Sequence, residues 1–75
     1  MNEYRKVFTF PNGYGASVVS HQYTYGGKEG LFEVAVLDRH GDLTYTTPIT
    51  SDVLGFLSFA EVGETLEAIS QLEKE

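Results

Sequence analysis

The sequence predicts an α+β domain: a four-stranded antiparallel β-meander, a short helical turn and a C-terminal amphipathic helix (ββββα). Three observations predict it. Four short runs alternate between two sides at period two, as strands do. The links between them are tight or glycine-rich, which favours antiparallel neighbours. The C-terminal stretch then repeats apolar residues three and four apart, as a helix with one buried stripe does. With 75 residues the chain is a single domain, 1–75, and buries roughly 60% of its unfolded surface in one small core.

The first strand is expected at 4–10, with Tyr4, Lys6, Phe8 and Phe10 on one side and Arg5, Val7 and Thr9 on the other. Asn12-Gly13 supplies the positive φ angles of a tight hairpin. A second strand spans 16–25; Val19, His21, Tyr23 and Tyr25 share a side, against Val18, Ser20, Gln22 and Thr24. Gly26-Gly27-Lys28-Glu29-Gly30 reads as a mobile loop tip. The third strand, 31–38, is apolar on both sides, which suits a central position. Arg39-His40-Gly41-Asp42 is a second turn, and 43–49 a fourth strand that Pro48 ends or holds at an edge. Thr50-Ser51-Asp52 offers an N-cap for a helical turn over 53–57. Ser58-Phe59-Ala60-Glu61 matches the capping box, with Leu57 and Val62 placed as its hydrophobic staple. The helix is expected over 59–73, with Phe59, Val62, Leu66 and Ile69 toward the core and Glu61, Glu64, Glu67 and Gln71 toward solvent.

Composition excludes several function classes. There is no cysteine, which removes disulfides, thiolate metal sites and thiol nucleophiles and fits a reducing cytoplasm. The longest apolar runs are four or five residues, too short to span a membrane, and Met1–Lys6 is not followed by a signal-peptide core. Phosphate-loop, dinucleotide, zinc-protease and serine-elbow motifs are missing, so no cofactor and no enzymatic activity are expected. His40 with Asp38 and Asp42 is an oxygen–nitrogen–oxygen set that a cation could use. Alternate residues of a tight turn seldom converge, however, and Asp in turns bonds nearby amides. His21 reads as a partly buried polar aromatic within its strand.

Charge carries more information. Net charge is −6, and four acids balance four bases in residues 1–41. In residues 42–75, seven acids face Lys74 alone. Such a surface repels a polyanion and attracts a basic protein. Tyr14, Tyr23, Tyr25 and Tyr45, with Phe8 and Phe10, crowd the strands and loops, and such residues anchor protein interfaces. The candidate contact residues are therefore Glu61, Glu64 and Glu67 on the helix, Tyr14 in the first turn, Tyr23 and Tyr25 on the second strand, and Lys28 in the loop. An apolar second sheet face also leads us to expect a homodimer, through sheet faces or edge strands.

Tyr4–Phe8, Asn12–Ser20, Gly30–Leu37 and Thr47–Thr50 together resemble small proteins encoded by bacteriophages and prophages. The resemblance covers most of the chain and implies a bacterial host cytoplasm. It also implies a role common among small acidic phage proteins, inhibition of a host or anti-phage defence protein, as in anti-CRISPR proteins and DNA mimics. The strand order also looks like the positive-cofactor-4 type of single-strand-binding dimer, but the basic sheet face of that family is missing. The function expected is thus a non-enzymatic interaction module with a basic protein partner. The alternatives are a dimeric single-stranded nucleic-acid binder, using Arg5, Lys6, Lys28 and Arg39, and a dimer that sequesters a small ligand.

Overall fold

The structure is a computed structural model that describes residues 3–21, 29–44, 47–49 and 53–74. Four strands form one antiparallel sheet, β1 (Tyr4–Thr9), β2 (Gly15–Ser20), β3 (Phe32–Leu37) and β4 (Leu54–Leu57), in that spatial order. One helix, α1 (Phe59–Ser70), follows. The expected ββββα arrangement is the one observed.

The fourth strand lies elsewhere than the sequence suggests. After the turn at 38–42 the chain makes one isolated bridge, Leu37 to Leu43, and the Thr44 N–H donates to the Val36 carbonyl at 2.9 Å. Residues 47–49 then bend around Pro48, and the place beside β3 goes to 54–57, expected as a helical turn. The reason lies in the cap. An N-cap residue is extended, and Ser58 has φ −70° and ψ 166°. The residues leading into it therefore run as a strand, and Gly55 gives a helix there little support. The helix also ends earlier, with Gln71 as C-cap rather than at 73.

The β1–β2 hairpin closes through a three-residue loop. The Phe10 N–H donates to the Tyr14 carbonyl (2.9 Å), the Gly13 N–H to the Phe10 carbonyl (3.0 Å), and Gly13 takes φ 96°. Gly15 is fixed by crowding instead: a Cβ there would lie 2.5 Å from the Phe8 carbonyl oxygen.

The core sits between α1 and one sheet face. Ala16, Val18, Val34, Val36, Val62 and Ile69 form its buried centre. These residues have the predicted alternation, since Ala16 and Val18 on β2 pair with Val36 and Val34 on β3. On the other face Ala35 and Leu37 are buried as well, so β3 is covered on both sides within one chain.

Two polar devices hold the helix. At its start the Ser58 hydroxyl accepts from the Glu61 N–H (3.2 Å) and the Glu61 carboxylate accepts from the Ser58 N–H (2.8 Å), the reciprocal box read from the sequence. At its end the Asn12 amide donates to the carbonyls of Ile69 (2.9 Å) and Leu72 (3.0 Å), reaching across from the β1–β2 turn. Asn12 thus ties the end of the helix to the first hairpin, although the Ile69 carbonyl also accepts from the Leu72 N–H (3.2 Å). Its own Oδ1 accepts from the Tyr14 N–H at 3.0 Å.

Three substitutions test this packing by chemical denaturation. Ile69→Ala, at a fully buried site, is expected to cost about 2–5 kcal/mol. Asn12→Ala is expected to cost about 1–3 kcal/mol for two lost hydrogen bonds, and to accelerate amide exchange in the last turn of α1. Phe59→Ala should leave stability within about 1 kcal/mol, because Phe59 is 76% exposed.

Candidate functional site

Phe59 is the point at which the helical stripe departs from expectation. Val62 and Ile69 are buried and Leu66 is half-buried, but Phe59, the first helical residue, projects past the edge of the core. Its ring meets Phe32 at 6.0 Å between centroids, and Phe32 in turn meets Tyr4 edge-on at 5.5 Å. Tyr4 and Phe32 lie on the outer and third strands, with Ser20 between them. The small serine lets the two rings meet over it, and its buried hydroxyl donates to the Leu31 carbonyl at 2.8 Å.

The helix packs mainly on β2, β3 and β4. The β1 side of the same face is left as an apolar groove of about 130 Å³. Tyr4, Phe8 and Phe32 form its sheet wall, and Phe59, Gly63 and Leu66 its helix wall. Gly63 is exposed, and a Cβ added to it would meet nothing within 4 Å. A glycine inside a helix costs about 1 kcal/mol relative to alanine. Packing does not require it here, and its effect is to keep the groove wall flat.

Glu64 and Glu67 are both exposed; Glu64 follows Gly63 in the chain and Glu67 lies one turn beyond it on the same flank. Both carboxylates lie on the helix that supplies one groove wall, and neither lines the groove itself. Glu61 is exposed too, but points away from the groove and is committed to the cap. The Ser58 amide, and secondarily the Ser58 hydroxyl, hold the Glu61 carboxyl below its ordinary value of 4.5.

The other candidate residues do not join this site. Tyr14 is half-buried in the hairpin and packs against the core at the end of the sheet reached by the β1–β2 turn. Tyr23, Tyr25 and Lys28 lie outside the described residues. A broader hollow of about 400 Å³ opens between the two turn regions, lined by residues including Thr9, Tyr14, Leu37, Arg39 and His40. Beside it the Asp38 Oδ1 accepts from the amides of His40 (2.8 Å) and Asp42 (3.0 Å), the turn chemistry expected of this residue. Among the described residues no three His, Asp or Glu side chains converge as a metal site would require, and no helix is long and apolar enough to cross a membrane.

Exposed phenylalanines are what sequence reasoning missed, Phe59 in the groove wall and Phe56 outside its lining. Phe56 is 59% exposed and has φ 58°, a left-handed conformation that bulky residues rarely adopt. It forms a bulge with Gly55 opposite Glu33, between the Phe32–Leu57 and Val34–Leu54 pairs. The Gly55-Phe56 pair was the available signal, since a glycine in a short strand often marks a bulge.

Comparison of the chain with protein-family models, with curated proteins and with solved structures finds no match.

The cap gives a pH expectation. A carboxyl whose value is lowered by folding adds stability above the ordinary carboxylate range, and that stability is lost as pH falls through the lowered value. Glu61→Gln keeps an oxygen for the Ser58 N–H but does not titrate. Thermal melts between pH 7 and about pH 3 should therefore show a smaller loss for Glu61→Gln than for the wild type.

Proposed function

We propose that this chain is a non-enzymatic protein-interaction module that docks a cationic partner through the groove between β1 and α1. The observation that carries this reading is the aromatic groove, one wall of which is a helix that exposes Glu64 and Glu67. At about 130 Å³ it is smaller than the roughly 300–1,000 Å³ of small-molecule pockets, and it suits a single apolar side chain. The partner's matching surface presents such an anchor flanked by Lys or Arg, an arrangement in which burial supplies affinity and charge speeds encounter. Two local features support the reading: the exposed Phe59 and a helical glycine that packing does not need. The resemblance to phage-encoded proteins makes the partner a host or defence protein of the bacterial cytoplasm, and the module its modulator. An acidic helix beside the aromatics argues against single-stranded nucleic acid, which needs a basic track beside its stacking platform.

The test uses the intact protein as bait in bacterial lysate, with Phe59→Ala and the pair Glu64→Lys and Glu67→Lys as comparators. A protein held by the wild type should be recovered about tenfold less with either variant, a loss of about 1.4 kcal/mol. Equal recovery by all three would overturn the groove as the docking site. Anisotropy with labelled single-stranded oligonucleotides should show no micromolar binding, whereas salt-sensitive micromolar binding would transfer the assignment to nucleic acid. Gly63→Ala adds a third measurement: it should raise stability by up to about 1 kcal/mol while weakening partner binding.

A further inference from the structure

The two edges of the sheet are built differently. The β4 edge is broken by the Gly55-Phe56 bulge, a device that discourages another strand from pairing there. The β1 edge is continuous. Its register with β2 runs unbroken from Tyr4–Ser20 to Thr9–Gly15, and no strand among the described residues pairs with its outer side.

The hairpin fixes which backbone groups point outward. The Phe10 N–H donates to the Tyr14 carbonyl across the loop. Backbone direction alternates along a strand, so Tyr4, Lys6 and Phe8 also address β2. The N–H and C=O groups of Arg5, Val7 and Thr9 therefore point away from the sheet. Val7 is 55% exposed.

We propose that a second copy of this chain pairs with this edge. The two β1 strands run antiparallel about a twofold axis at Val7, giving a continuous eight-stranded sheet with both helices on one face. The axis position follows from the residues. Centring on Arg5 or Lys6 would set a cation directly opposite its own copy, which is destabilising. Centring on Phe8 or Thr9 would bring the second copy's Pro11, which has no N–H, opposite Arg5 or Val7, where the ladder needs a donor. Centring on Val7 avoids both faults. Val7 then faces the second copy's Val7, and Arg5 faces its Thr9. About six backbone hydrogen bonds form, two for each outward-facing pair. On the helix side Lys6 lies opposite the second copy's Phe8. Within one chain the Lys6 ammonium already sits 5.2 Å from the Phe8 ring centroid, so pairing offers it a second aromatic face. Tyr4 lies opposite the second copy's Phe10, and the two grooves flank the axis. This assembly does not depend on the partner proposed above.

Sedimentation velocity at tens of micromolar is expected to give twice the 8.3 kDa chain mass. Val7→Pro deletes an outward N–H that β2 does not use, a position where an edge strand tolerates proline. It should sediment at the monomer mass with an unchanged circular dichroism spectrum. The natural chain has no cysteine, so single replacements report register directly. Val7→Cys should cross-link on mild oxidation, because directly opposed residues lie about 5.5 Å apart at Cα, within disulfide reach. Thr9→Cys should not, since its copy lies four residues along, about 13 Å away. A wild-type chain that stays at 8.3 kDa, or a dimer in which Thr9→Cys cross-links and Val7→Cys does not, overturns the proposal.

Discussion

The fold depends on how α1 is held at its two ends. At Ser58 the chain passes from strand to helix with no intervening loop, because the capping residue is itself extended and continues the line of β4. At the other end the Asn12 amide takes the Ile69 and Leu72 carbonyls, so the helix finishes against the β1–β2 turn. Twelve helical residues extend about 18 Å, close to the length of a six-residue strand. The helix therefore begins beside β4, crosses to the end of the first hairpin, and settles mainly on β2 and β3. Little of it remains to cover Tyr4 and the adjacent surface of β1, and the groove follows from that geometry.

Much of this was legible in the sequence, because the signals were local and mutually consistent. The capping box at Ser58 and Glu61 needs only four residues, and it placed the start of the helix correctly. The two apolar sides of 31–38 marked β3 as an inner strand, without saying which side meets the helix, and Asn12-Gly13 placed the first turn. The misreadings arose where two local signals competed. Leu43–Ile49 has good strand composition, and Thr50-Ser51-Asp52, which lies outside the described residues, looks like a cap, so local signals favour a strand and then a helical turn at 53–57. What decided the matter was the cap at Ser58, which makes the residues just before it extended. Asn12 was read correctly as a turn residue, but its hydrogen bonds cross 57 and 60 positions of chain, a distance that no local pattern encodes.

The site was less legible than the fold, for a related reason. Phe59 lies on the apolar stripe, and periodicity cannot distinguish a residue above the core from one beyond its edge. Only the position of the helix relative to β3 shows that its ring rests on Phe32 and remains in water. The acidic residues divide on the same principle. Glu61, Glu64 and Glu67 are all exposed, as the periodicity predicts, but Glu61 is occupied by the cap.

The departures from local rules gather near one another. Phe56 takes a left-handed backbone that costs an L-residue roughly 1–2 kcal/mol, and Gly63 weakens a helix that has room for alanine. Phe59 leaves most of a large ring in solvent although a small domain has little apolar surface to spare. In a 75-residue chain such concessions are large, since folded domains typically have only about 0.05–0.15 kcal/mol of net stability per residue. A sequence shaped only to fold would place glycine at 56, alanine at 63 and a polar residue at 59. Two of those choices would also alter the groove, through a methyl on its helix wall or a missing ring at its mouth. The residues that compromise the fold are thus among those that give this surface its shape, which is the relation expected where binding and stability make opposing demands on the same positions.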